Sequence, residues 1–311
     1  MNAQPVDPNA IAGNSEIVSQ LSAFDTTVAY LVQFYPRWFT YYQTQLGHRG
    51  RNSLVGPDQV SPVYHYVVAI NVDTLYVSSC LDLTDRPVIL TIPSTLAFPS
   101  TSYSILMLDP YGDLLPGSAN IPKTPGSYAL IGPRGFSGTL PADVTPIAIP
   151  LNVSALIFRV DKFSPTGENQ IAEADAFRRS LTAQVLSAYL ENPSGGAATI
   201  VPEILFAVPF TIADNLIAHD PIAFLTQLQR AVGSHNTPPF SPYEQALSDR
   251  FNTLFANRGV NEPEFSDGAQ AAHKLILDAT SRIRTGRIRR QTGSISSILV
   301  TGETMSSNDH Q

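Results

Sequence analysis

The chain has 311 residues, 43% hydrophobic and only 14% charged, with a formal net charge of −7, which argues against a general nucleic-acid binder. A single cysteine, Cys80, excludes an intrachain disulfide and a cysteine-based zinc framework. No run approaches the roughly 18 apolar residues of a membrane span and no basic, apolar leader opens the sequence, so the expectation is a soluble, cytoplasmic protein with no membrane partner.

Residues 1–14 read as a proline-marked tail. Ser15 and Glu16 then open a helical pattern in which Ile17, Leu21, Phe24, Val28, Leu31 and Phe34 recur at spacings of three and four. Pro36 is expected to end or kink this helix near Tyr35. The aromatics that follow, Trp38, Phe39, Tyr41 and Tyr42, read either as core or as the wall of an apolar ligand pocket. After an irregular stretch, β-branched runs bounded by Pro and Gly predict strands near 63–70, 75–81, 87–92, 102–109, 127–131, 144–149 and 153–160. The turn-rich segment 124–144 reads as a hairpin with its tip near Gly135. From Ser164 the pattern becomes helical, first over 167–192 and again near 221–232, 242–256 and 267–284. Residues 285–311 read as a tail. The expected fold is α+β: a β-sandwich-like antiparallel unit with its N-terminal helix over 15–163, and a helical part over 164–284 packed on it.

The stretch Val67–Leu83 concentrates the polar chemistry. Asn71, Asp73, Thr74 and Tyr76 fall within six residues between two apolar runs, so one turn carries an amide, a carboxylate, a hydroxyl and a phenol. The same residue types also close turns on their own backbone, so a purely structural turn stays open.

The N-x-D-T-x-Y of Asn71–Tyr76 is followed by L-D-L at Leu81–Leu83 and P-V-I-L-T-I-P at Pro87–Pro93. Tyr103, L-D-P-Y at Leu108–Tyr111, G-S-Y at Gly126–Tyr128, I-G-P at Ile131–Pro133 and finally Arg159 complete the series. In this order they resemble the domain-of-unknown-function family 1254, over roughly residues 20–165. Members of that family often carry a second domain, of family 1214, which reads here as absent or truncated. The resemblance implies a β-rich fold with peripheral helices and no settled activity. Where the family has Arg-Pro before the Asn, this chain has Ala69-Ile70, and where it has Arg-Tyr, this chain has Ser102-Tyr103. With those arginines missing, the ligand is expected to be uncharged or weakly charged and largely apolar.

No nucleophile elbow, Walker A loop, dinucleotide-binding fingerprint or H-E-x-x-H is present, and the six histidines have no ligand spacing. Asp109 and Asp113 flank a turn but are too few to make a metal site, so neither a metal nor an organic cofactor is expected. One reading is therefore an enzyme of specialised metabolism acting by acid/base chemistry on a small apolar molecule. Asp73 would be the base, and Tyr76 and His65 its catalytic partners. Asn71, Thr74, Trp38, Tyr42, Tyr103, Asp109, Tyr111 and Arg159 would contact the substrate. The alternatives are a non-catalytic small-molecule binding protein with the same pocket, and a structural or assembly module, including a homo-oligomer. The run Arg282, Arg284, Arg287, Arg289 and Arg290 is the feature that favours assembly. Arg159, at the end of an apolar strand, is expected to pair with Asp73 or Asp109.

Overall fold

The computed structural model describes residues 15–42, 50–59, 71–115, 121–203, 208–233 and 240–284. The strand expected at 63–70, His65 within it, and the arginine run beyond Arg284 lie outside these residues. The apolar stripe of the N-terminal helix is split into α1 (Ser15–Ser19) and α2 (Ala23–Tyr41). The break falls at Ser22, whose hydroxyl accepts the Asp25 N–H at 3.0 Å and caps α2. The second helix then runs through Pro36 instead of ending at it. The missing proline N–H removes one helical bond, and the burial of Tyr30, Leu31, Phe34, Arg37 and Trp38 on either side outweighs that loss.

These side chains pack against α5 (Val208–His219), α6 (Pro221–Gly233), α7 (Pro242–Ala256) and α8 (Glu262–Arg284) in one helical core. Tyr30 stacks on Phe251 with ring centres 3.9 Å apart, and Trp38 lies 5.0 Å from Phe224. Gly268 lets α8 reach α2, since a Cβ there would stand 2.9 Å from the Phe24 carbonyl oxygen.

Two mixed sheets build the other core. The first has the order β4-β7-β2-β1-β9 and the second β6-β5-β3-β8. Their strands are β1 (Val55–Pro57), β2 (Thr74–Asp82), β3 (Val88–Ile92), β4 (Tyr103–Leu108), β5 (Gly126–Ile131), β6 (Val144–Ala148), β7 (Val153–Asp161), β8 (Thr182–Val185) and β9 (Thr199–Val201). Leu75, Val77 and Leu81 of β2 and Leu156, Phe158 and Val160 of β7 alternate inward. They share one apolar cluster with Val88, Leu90 and Ile92 of β3 and Leu130 of β5. The fold is thus α+β and sandwich-like, with helices on both sides of the β unit in sequence. Pairings β1–β9 and β5–β6 are parallel and the others antiparallel. The segment around Gly135 is therefore a return loop and not a hairpin: its length carries the chain back to the end where β5 began.

The two cores divide elsewhere than at residue 163. The pattern expected as one helix over 167–192 becomes α3 (Ile171–Ser180), β8 and the short α4 (Leu186–Glu191). β8 joins the second sheet beside β3, and β9 joins the first beside β1. α3 is fastened to the first sheet by Arg178, which is 1% exposed. Its guanidinium donates to the carbonyls of Pro57 (2.6 Å), Tyr76 (3.2 Å) and Asp58 (3.2 Å) and to Asp175 Oδ1 (2.6 Å). Gly56 lies against the same point, where a Cβ would overlap the Tyr76 carbonyl oxygen. Among the described residues no helix is long and apolar enough to cross a membrane.

Candidate functional site

The polar turn before β2 is closed by its own groups. Asn71 Oδ1 accepts the Asp73 N–H at 2.8 Å, and the Thr74 hydroxyl donates to the Asn71 carbonyl at 3.2 Å. From the end of β7, the Lys162 N–H donates to the Asp73 carbonyl at 2.9 Å and Lys162 Nζ to the Val72 carbonyl at 2.6 Å. Asn71 and Asp73 are exposed and Thr74 is buried. No hydrogen bond joins the Asp73 carboxylate to Tyr76 or Arg159.

Strand register then sets a row of three donors across the first sheet. Tyr76 of β2 pairs with Arg159 of β7, which pairs with Ser104 of β4. All three are half-buried and face away from the second sheet. The Arg159 guanidinium lies 5.9 Å from the centre of the Tyr76 ring. Its Nε is buried without a hydrogen-bond acceptor, and among the described residues no carboxylate forms an ion pair with it. The expected pairing with Asp73 or Asp109 is therefore replaced by stacking on an aromatic ring. The Tyr76 hydroxyl accepts the Asn71 N–H at 3.3 Å, and neither it nor the Ser104 hydroxyl donates to a described residue. Asp161, on the same side of β7, accepts from the Ser102 hydroxyl at 2.5 Å. The next row along the sheet is Ser78, Ile157 and Leu106, again half-buried. Beyond it, burial pushes the Cys80 thiol up to about 12.

The remaining expected site residues lie elsewhere. Tyr103 points to the opposite face, packs 4.8 Å from Phe177 and donates to the Lys123 carbonyl at 2.9 Å. Trp38 and Tyr42 belong to the helical core, with ring centres 5.3 Å apart, and Trp38 Nε1 donates to Gln227 Oε1 at 3.1 Å. Asp109 Oδ1 accepts the N–H groups of Tyr111 (2.8 Å) and Asp113 (2.9 Å), so this carboxylate shapes its own turn. That turn leaves β4 at the end away from Ser104, roughly 15 Å along the strand. Among the described residues no group of three or more His, Cys, Asp or Glu is placed to hold a metal ion.

Two polar constellations have no local signal in the sequence. At the junction of the two cores, the Tyr111 hydroxyl accepts from Arg37 Nε at 2.5 Å and donates to Glu244 Oε1 at 2.7 Å. Burial raises the Tyr111 phenol and lowers the Arg37 guanidinium from their ordinary ranges. Burial also works to raise the Glu244 carboxyl, but hydrogen bonds from Tyr111 and Ser241 outweigh it and hold that group below the ordinary carboxylate range. Within the helical core, His273 Nε2 lies 2.8 Å from Asp214 Oδ1 and ties α8 to α5.

Residues 51–184 match the family described as "Protein of unknown function (DUF1254)". Over this stretch the chain is similar to that family. The match covers most of the β unit, including the donor row, and leaves out the helices that flank it. No curated protein matches the chain. The solved structures similar to it include the following two. The VPA0106 protein of Vibrio parahaemolyticus aligns at 16% identity and a TM-score of 0.39, over 82% of this chain and 67% of its own. An uncharacterised protein of Burkholderia cenocepacia aligns at 9% identity and a TM-score of 0.27, over 90% of this chain and 63% of its own.

Proposed function

We propose that this protein binds a small, largely apolar molecule on the outer face of its first sheet, without turnover through Asp73. The observation that supports this reading is Arg159. Charged side chains taken out of water are normally paired, whereas this guanidinium has a ring beside it and, among the described residues, no acceptor for its Nε. Its donors are thus available to a ligand, and Ile157 and Leu106 offer that ligand apolar surface. Acid/base chemistry is less well served, because Asp73 is exposed and joined to neither Tyr76 nor Arg159. A thermal-shift panel of small metabolites on the parent, R159Q and D73N proteins tests the reading. Compounds that stabilise the parent and D73N but not R159Q are expected. Stabilisation lost in D73N and retained in R159Q would return the site to the turn and overturn the proposal.

A further inference from the structure

Resting on the small-molecule reading above, we propose that the row Tyr76–Arg159–Ser104 is a carboxylate subsite and that the ligand is a monocarboxylic acid with an apolar body. Three donors stand side by side on adjacent strands, about 4.8 Å apart, and no acceptor among the described residues uses their remaining hydrogens. A row with unused donors is matched by a group that only accepts, and an ionised carboxylate is such a group. The planar guanidinium supplies two parallel N–H groups to its two oxygens. The hydroxyls of Tyr76 and Ser104 flank it on the neighbouring strands.

Charge selects a monoanion. Arg159 carries one positive charge, and a second cation at this end of the sheet, Lys162, donates through Nζ to the Val72 carbonyl. The carboxylates of Asp161 and Asp73 stand nearby, the first held by Ser102 and the second in water. Arg159 and Lys162 against Asp161 and Asp73 sum to zero, so the surroundings hold no second positive charge for a phosphate dianion, whereas a single carboxylate is met by the arginine alone. The second row fixes the rest of the ligand: Ser78, Ile157 and Leu106 lie about 7 Å further along the strands, a distance that a ring or a short chain attached to the carboxylate covers. The arginines missing at 69–70 and 102 thus do not make the site neutral, because one arginine reaches it from β7.

The test uses the full chain with benzoate, cinnamate and 4-phenylbutanoate, their primary amides, and phenyl phosphate. Calorimetry measures affinity, and arginine-labelled protein reports the Arg159 Nε–H resonance, assigned by its loss in R159Q. Expected are saturable shifts of that resonance with the acids and binding about tenfold or more tighter than the amides. The preference should disappear in R159Q and weaken in Y76F, both checked for parent-like melting. Equal binding of acid and amide would overturn the carboxylate subsite and leave the small-molecule reading standing. Tighter binding of phenyl phosphate than of the acids would overturn the monoanion assignment. No response to any probe, in affinity or in resonance, would overturn both readings.

Discussion

Arg178 is the arginine on which the β unit depends, and replacing it with Met isolates that role. Methionine keeps an unbranched stem of similar reach and removes all five N–H donors. The carbonyls of Pro57, Asp58 and Tyr76 then lose charged donors, and Asp175 keeps only Arg179, at 2.7 Å. Removing one member of a buried charged network costs about 3–5 kcal/mol. Because methionine regains apolar burial, the lower figure, about 3 kcal/mol, applies to R178M. At about 2–4 °C per kcal/mol for a unit of this size, the far-UV circular dichroism melt should fall by roughly 6–12 °C. R159Q, run beside it, loses no hydrogen bond to a described residue and should melt within about 2 °C of the parent. If R178M melts like the parent, or R159Q falls as far as R178M, the assignment of structural and ligand-facing arginines is wrong.

Y111F removes the hydroxyl shared by Arg37 and Glu244 and should cost about 2–3 kcal/mol, read through Trp38, the sole tryptophan, in the helical core; an unchanged fluorescence melt would show the junction to be idle. With its thiol near 12, Cys80 should be silent to a disulfide reagent at pH 8, where its thiolate fraction is about 10⁻⁴, and react fully after denaturation. Stoichiometric reaction of the native protein within minutes would contradict its burial. Hydrogen bonds from Arg179 and Arg178 overcome the opposing effect of burial and hold the Asp175 carboxyl, like that of Glu244, below the ordinary range. A group lowered on folding contributes stability above its unfolded value, about 3.9 for Asp and 4.3 for Glu, and loses it as pH falls through the folded value. Melting temperature should therefore be flat above about pH 5 and decline below about pH 4, less steeply in E244Q; an E244Q decline as steep as the parent's would remove Glu244 from the acid transition.

Strands β2 to β7 and helices α6 to α8 are readable from the sequence because their alternation or three-four spacing is local. β1, β8 and β9 are not. Val55–Pro57 holds a Gly and a Pro, Thr182–Val185 continues a good helical pattern, and Thr199–Val201 is too short to show a period. Their pairing is decided by partners far along the chain. Pro36 misleads for the same reason, since the packing that carries α2 past it comes from helices after residue 208. The turn at Asn71–Tyr76 is legible as a polar concentration, but its role depends on cross-strand register. Arg159 meets Tyr76 and Ser104 only through pairings among three strands, and no spacing along the chain announces that no described carboxylate pairs with it. Arg178, by contrast, looks like an ordinary helix-end arginine until β1 and β2 deliver their carbonyls to it.

The helical core is assembled from both sides of the β unit, and this imposes an order on synthesis. Tyr30, Leu31, Phe34 and Trp38 leave the ribosome long before their partners Phe224, Phe251, Phe265 and Ala272. At about 5–20 residues per second, the interval from Trp38 to Ala272 is on the order of 10–50 s. During it the β unit can complete its own sheets, while α2 carries an uncovered apolar stripe. The nascent chain therefore leaves α2 uncovered throughout the making of the β unit, and the bundle closes only when α8 arrives.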